Sequence, residues 1–196
     1  IRGVYVPSLY EARQAGAAGL QAVTARPGAP ARVEKRIVRD FGSSFFPADI
    51  VVPNIQAVFD RVAVEAARGC PQKCRFCQAT TVYHPFRAKR PDEILETLVK
   101  SLRATGYEDA SLSALSLSDY PGLDALIRGA MAALEPEKIA LSLSSLRPRG
   151  VSDDVVGHIL KVRKTGLTLV PEAGTERLRR VINKPLEDAD ILEAAR

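Results

Sequence analysis

No stretch of about 18 consecutive apolar residues occurs in this chain, so no membrane-spanning helix is expected. No charged, apolar, small-residue leader opens it, which sets aside a signal peptide and makes the cytoplasm the expected location. There is no fourth cysteine: Cys70, Cys74 and Cys77 are the whole set, an odd number packed into eight residues. That pattern argues against a disulfide framework and for metal or redox chemistry. Charge of one sign is only mildly in excess, with 28 Lys and Arg against 23 Asp and Glu. Such a balance gives weak attraction to an acidic partner such as RNA, and is otherwise an ordinary solvated surface.

At 196 residues the chain is within the range of one domain and long enough for a real core. It opens on Ile1 rather than Met and stops at Arg196 within a helical pattern, so the expectation is a piece of a longer protein. Residues 1–60 read as a connector. Within them, 22–36 (AVTARPGAPARVEKR) is rich in Ala, Pro, Gly and charge without periodicity. The next segment, 41–56, is apolar but broken by Pro47 and Pro53, which predicts extended chain lying on another surface.

From residue 61 a rhythm sets in. Val62 and Val64 alternate with Arg61, Ala63 and Glu65 in a short strand. Pro91 then opens a helix with Ile94, Leu95, Leu98 and Leu102 on one face, which Gly106 can end. Residues 110–118 alternate Leu with Ser, ahead of a helix bearing Leu123, Leu126, Ile127, Met131 and Leu134; Met131 is read as core filler. Ile139, Leu141 and Leu143 mark a third strand over 138–146. Ser152 can cap the next helix, with Val155, Val156, Ile159 and Leu160; His158 on it is read as a surface or core residue rather than a ligand. Residues 166–174 (GLTLVPEAG) predict a fourth strand, and Thr175 caps the helix of Leu178, Val181 and Ile182.

Four strand–helix units in succession predict an α/β fold with a parallel sheet and right-handed crossovers. An open doubly wound sheet and part of a (β/α) barrel both satisfy this, and in both the working surface lies at the carboxyl ends of the strands. The cysteine loop comes after strand one, Ser116 to Asp119 after strand two, Ser144 to Arg147 after strand three, and Pro171-Glu172 after strand four. Topology alone therefore predicts that these four sets converge on one face.

The cysteine spacing in CPQKCRFC is C-x-x-x-C-x-x-C. Thiolates are soft ligands suited to zinc or iron–sulfur clusters. A structural zinc site wants four closed ligands, and no second cysteine pair is present; His84, seven residues after Cys77, is the one alternative fourth ligand nearby. A [4Fe–4S] cluster usually takes four cysteines, so three leave one iron with an open position. Gly69, Pro71, Gln72, Lys73 and Arg75 make poor core, which disfavours three unrelated buried cysteines.

This loop, placed after a strand and with Phe76 before its third cysteine, resembles the signature of the radical S-adenosylmethionine (radical SAM) superfamily. The stretches 3–11, 60–79, 105–120, 142–148 and 166–184 further resemble an uncharacterised subgroup whose members commonly carry a cobalamin-binding-like domain upstream. The resemblance implies a partial (β/α)6 barrel, here truncated to about four strand–helix units over 61–196, with residues 1–60 the connector after the upstream domain. It implies that Cys70, Cys74 and Cys77 hold three irons of a [4Fe–4S] cluster, and that SAM chelates the fourth. Reductive cleavage of SAM to methionine and a 5′-deoxyadenosyl radical would result, or methyl transfer supported by cobalamin from that upstream domain. An electron donor such as flavodoxin or ferredoxin is implied as a partner, and a piece of this extent is expected to be inactive alone.

By the same resemblance, Phe76 would pack on the adenine. Ser116, Ser118 and Asp119 stand where the superfamily usually holds the SAM amino group with a small or Gly-rich segment. Ser145 and Arg147 lie after strand three, where Arg147 would clamp the SAM carboxylate bidentately. Glu172 would approach the ribose hydroxyls. Two other readings stay open. One is an electron-transfer or zinc module without SAM. The other is an RNA-modifying or nucleic-acid-binding protein, with phosphates on Arg87, Lys89 and Arg90 of HPFRAKR and Arg177, Arg179, Arg180 and Lys184 of ERLRRVINK, although no aromatic platform accompanies those clusters.

Overall fold

The computed structural model describes residues 2–14, 19–55, 57–148, 152–164 and 166–195. The chain divides into two compact units, Ile1–Asp40 and Phe41–Arg196. In the first, a 3₁₀ turn at Pro7–Leu9 leads into an antiparallel pair, β1 (Tyr10–Gln14) and β2 (Leu20–Ala25), in register from Tyr10↔Ala25 to Arg13↔Ala22. The expected connector thus contains a pair of antiparallel strands. Tyr10 ties β1 to the chain beyond β2, its hydroxyl donating to the Pro30 carbonyl at 2.9 Å.

The second unit begins with irregular chain. Phe41 is buried and Phe46 and Ile50 pack on the core, while Phe45, Val51 and Ile55 are exposed. The regular elements then run β3 (Val62–Glu65), β4 (Ala67–Arg68), α1 (Ala79–Val82), β5 (Arg87–Ala88), α2 (Pro91–Thr105) and β6 (Asp109–Ser113). They continue with α3 (Leu123–Leu134), β7 (Ala140–Leu143), α4 (Asp153–Leu160), α5 (Glu176–Val181) and α6 (Asp188–Ala194). A parallel sheet in the order β3-β6-β7 forms the centre, with Val62↔Ala110 and Asp109↔Ala140 opening the two ladders.

The α-helices form where the sequence punctuates them. Pro91 sits at the first position of α2, Glu93 closes a capping box on Arg90, and Gly106 ends the helix at φ +71°. The apolar stripes then meet: Ile94, Leu98 and Leu102 of α2 and Leu126, Ile127, Ala130, Met131 and Leu134 of α3 are buried with Val62, Val64, Leu112 and Leu141 of the sheet. Met131, 1% exposed, is core filler. Each such buried aliphatic side chain contributes about 1.5–3 kcal/mol of transfer free energy. Among the described residues no helix is long and apolar enough to cross a membrane.

Three of the four expected strands form, each shorter than its sequence pattern. The fourth does not: residues 166–174 carry no ladder among the described residues. Side chains take two of its carbonyls instead. Lys184 Nζ donates to Val170 O at 2.5 Å, and Arg179 Nη1 to Ala173 O at 3.1 Å. The architecture is a mixed α/β unit around a three-stranded parallel sheet.

Candidate metal centre

The cysteines lie on an excursion, residues 69–86, that leaves the carboxyl end of β3 and returns before α2. Its neck is the two-pair antiparallel ladder of β4 and β5, Ala67↔Ala88 and Arg68↔Arg87, reinforced by Lys89 N donating to Ala66 O at 2.9 Å. Gly69 opens the excursion at φ +96°, with the returning backbone so close that a Cβ would meet Tyr83 O at 2.8 Å. A side chain has no room there.

All three cysteines are free thiols, Cys70 and Cys74 partly buried and Cys77 exposed. Cys77 N donates to Cys74 O at 3.1 Å, and Cys77 Sγ accepts from Ala79 N at 3.4 Å at the start of α1. Burial pushes the Cys70 thiol above its ordinary range; a backbone N–H of Gln72 opposes this, and Asp119, Cys74 and Cys77 add to it. A cation drawn to this loop would reverse that balance by favouring the thiolates. Among the described residues, no three His, Cys, Asp or Glu gather around one point as a single ion requires. A four-iron cluster presents separate iron corners, so its ligands stand apart, and three soft thiols on one loop fit it better than a closed zinc site.

Hydrogen bonds tie this loop to the ends of the other two strands. Gln72 Nε2, between Cys70 and Cys74, donates to both Asp119 oxygens at 2.9 and 3.0 Å. Buried Ser116 adds a bond from its hydroxyl to Asp119 Oδ2 at 2.6 Å. Ser118 Oγ accepts from Arg147 N at 2.8 Å, and Leu117 N donates to Ser145 O at 3.3 Å. Ser144 turns back, its hydroxyl donating to Leu112 O at 3.1 Å. Ser145 holds φ +54°, a left-handed conformation that costs a residue with a Cβ of order 1–3 kcal/mol. Of the expected contacts, Phe76 is 55% exposed. Arg147 lines a cavity of about 470 Å³ with Leu167, Leu169 and Glu193.

Glu172, also at positive φ (+69°), joins the same network through α5 and the turn after it. Lys184 Nζ donates to Glu172 Oε1 at 3.0 Å with its side chain only 14% exposed. One residue earlier, Asn183 takes φ +57° and donates from Nδ2 to Lys73 O at 2.7 Å. Arg75 answers from the cysteine loop, its amide donating to Ile182 O at 2.9 Å and its guanidinium to Val181 O. Behind them Arg179, 1% exposed, donates to Leu186 O at 2.7 Å, to Ala173 O at 3.1 Å and to Asp188. Thr175 caps α5, accepting from Leu178 N at 3.4 Å.

Gln72, Arg75, Asn183 and Lys184 are positioning residues that motif spacing does not single out. Asn just past a helix end, where a left-handed residue is favoured, is the one legible signal among them. Most members of the two basic clusters are engaged within the chain. Arg179 is buried and Lys184 half-buried as described, Arg180 pairs with Glu176, and Arg177 is exposed. In the other cluster Arg87 donates to Pro85 O at 3.0 Å, Lys89 lies 5.4 Å from the Phe41 and Phe46 rings, and Arg90 pairs with Asp92 at 3.1 Å and Glu93 at 3.3 Å.

Comparison with known proteins agrees with this arrangement. The family model of the radical SAM superfamily matches residues 64–196, from β3 onward. An uncharacterised protein of Methanocaldococcus jannaschii is 35% identical over 131 residues, which is 67% of this chain and 28% of that protein. A ribosomal protein uS12 methylthiotransferase, RimO, of Pelotomaculum thermopropionicum is 27% identical over 128 residues, 62% of this chain and 27% of that protein. The match therefore spans under a third of each relative's length. With a cysteine excursion on the first strand of a parallel α/β unit and a family match over residues 64–196, well over half of the sequence, the chain belongs to the radical SAM superfamily.

Proposed function

We propose that this chain is the core of an enzyme that cleaves SAM reductively, with Cys70, Cys74 and Cys77 holding three irons of a [4Fe–4S] cluster. The amino and carboxylate groups of SAM take the fourth. When bound and reduced, the cluster supplies the electron that splits SAM into methionine and a 5′-deoxyadenosyl radical. The observation that carries this reading is the tie between Gln72 of the cysteine loop and Asp119 beyond β6, since it fixes the thiols against the ends of the parallel strands.

The chain's own residues do the placing. The Gln72–Asp119–Ser116 bonds hold the loop from one side, and Arg75, Asn183 and the α5 turn hold it from the other. Phe76, exposed beside the cysteines, offers a face for the adenine. Ser118 and Ser145 fix the start of the 145–148 segment, from which Arg147 reaches for the SAM carboxylate with its planar fork. Lys184 fixes one oxygen of Glu172, orienting that carboxylate toward the ribose hydroxyls. A small electron carrier of the flavodoxin or ferredoxin type is the expected reductant. The methylthiotransferase relative supports the same radical chemistry, and methyl transfer aided by cobalamin is a variant that the products would reveal.

The test is anaerobic reconstitution with iron and sulfide, then metal analysis and nucleoside analysis after adding dithionite and SAM to the full-length protein. About four irons per chain and 5′-deoxyadenosine as product are expected, with each single Cys→Ala variant losing iron. S-Adenosylhomocysteine appearing as well would mark methyl transfer. Stoichiometric zinc without iron would overturn the proposal in favour of a structural site.

A further inference from the structure

Charge is unevenly spread along the chain. Residues 1–40 carry seven Lys and Arg against three Asp and Glu, so about a fifth of the sequence holds four of its five excess positive charges. The compact first unit gathers four of them: Arg2, Arg32, Lys35 and Arg36 line one groove of about 910 Å³, in which Glu34 is the single acid. An adjoining pocket of about 340 Å³ shares Lys35 and is walled by Tyr5 and Tyr10. The two rings stack with centroids 4.7 Å apart and a tilt of 35°. Tyr10 is fixed through its hydroxyl to Pro30, and Tyr5 is 51% exposed.

A basic groove beside an outward aromatic is the combination that binds single-stranded nucleic acid. Cations track the phosphates, and any base can stack on the ring because every base has a π-face. We infer that the first unit binds single-stranded nucleic acid, with Arg2, Arg32, Lys35 and Arg36 on the backbone and one base on Tyr5. An anionic membrane would instead call for an amphipathic helix with an apolar face; the described residues of this unit hold only the three-residue turn Pro7–Leu9. An acidic peptide would use the cations, but its carboxylates bring no ring to stack on Tyr5. This inference is independent of the cluster and SAM reading.

The test is fluorescence anisotropy of a labelled single-stranded RNA of about 12 nucleotides, within the range one such site covers, titrated with the 196-residue chain at several salt concentrations. Four phosphate contacts predict a slope of log K against log salt of about −2.8. Arg32→Glu/Arg36→Glu should weaken binding by about tenfold or more. Lys100→Glu/Arg103→Glu makes the same change in net charge on exposed residues of α2, and should alter binding by about twofold at most. Tyr5→Leu should weaken RNA binding by about fivefold or more while leaving inorganic polyphosphate unaffected, and Tyr5→Phe should bind like the parent. A slope near zero, equal losses from both charge pairs, or a Tyr5→Leu effect that is absent, is shared by polyphosphate or is matched by Tyr5→Phe would each overturn the inference.

Discussion

Replacing Gly69 with Ala tests how the cysteine loop is built. The new Cβ would lie 2.8 Å from Tyr83 O and 2.9 Å from both Phe86 Cα and Pro85 O. These are backbone atoms of the returning limb, so none can swing aside. The left-handed φ of +96° adds about 1–2 kcal/mol for any residue with a Cβ, and prying the limbs apart adds about 1–3 kcal/mol on the scale of overpacking. Gly106 provides the control. It too is left-handed, at φ +71°, but a Cβ there meets nothing within 4 Å, so Gly106→Ala carries only the first cost. Urea unfolding of the two variants should therefore differ by about 1–3 kcal/mol. Opening the limbs also strains the two-pair neck beside Cys70, so Gly69→Ala should retain less iron per chain after reconstitution while Gly106→Ala retains the normal amount. Equal stabilities within about 0.5 kcal/mol, with equal iron, would refute the crowding argument.

The bonds behind the loop and the core itself give three further expected outcomes. Asn183→Gly keeps the left-handed backbone available but deletes the amide that holds Lys73 O; it should lose iron faster to a chelator, with a stability loss of about 1 kcal/mol. Arg179→Met strands the Leu186 and Ala173 carbonyls and should cost about 2–5 kcal/mol in urea unfolding, tempered because Asp188 is 68% exposed and regains water; Arg179→Lys should fall between. Burial, aided by Asp92 and Glu93, raises the Tyr120 phenol to about 12. A folded-state pKa above the unfolded one means that this stabilisation is complete below about pH 10 and lost as pH rises toward 12. Tyr120→Phe should remove that alkaline slope of about 1.4 kcal/mol per pH unit, as measured by chemical unfolding across the window.

The helices and core were legible because local signals and the global fold agree. Pro91 and Gly106 bracket α2, Thr175 caps α5, and the 3.6-residue stripes of α2 and α3 bury the residues they mark. The fourth strand was not, because alternating apolar residues look the same whether the backbone is paired or held by Lys184 and Arg179. A ladder of two pairs such as β4 and β5 has no period to detect. That the cysteines share one loop was legible from their spacing, and that Ser116 and Asp119 stand just beyond a strand was legible from the run before them, whereas Glu172 follows a run that forms no strand. Lys184 and Arg179 were read only as members of a basic cluster open to phosphates, because Lys and Arg usually lie at the surface. The burial of Arg179 and the half-burial of Lys184 depend on loops meeting, which no local pattern records.

The central claim is that three thiols leave one iron for SAM. Electron paramagnetic resonance of the reconstituted, reduced full-length protein, recorded with and without SAM, tests it most directly. The account predicts a [4Fe–4S] signal whose g-values shift when SAM is added, and which is lost in Cys70→Ala, Cys74→Ala and Cys77→Ala. A cluster signal indifferent to saturating SAM would contradict it.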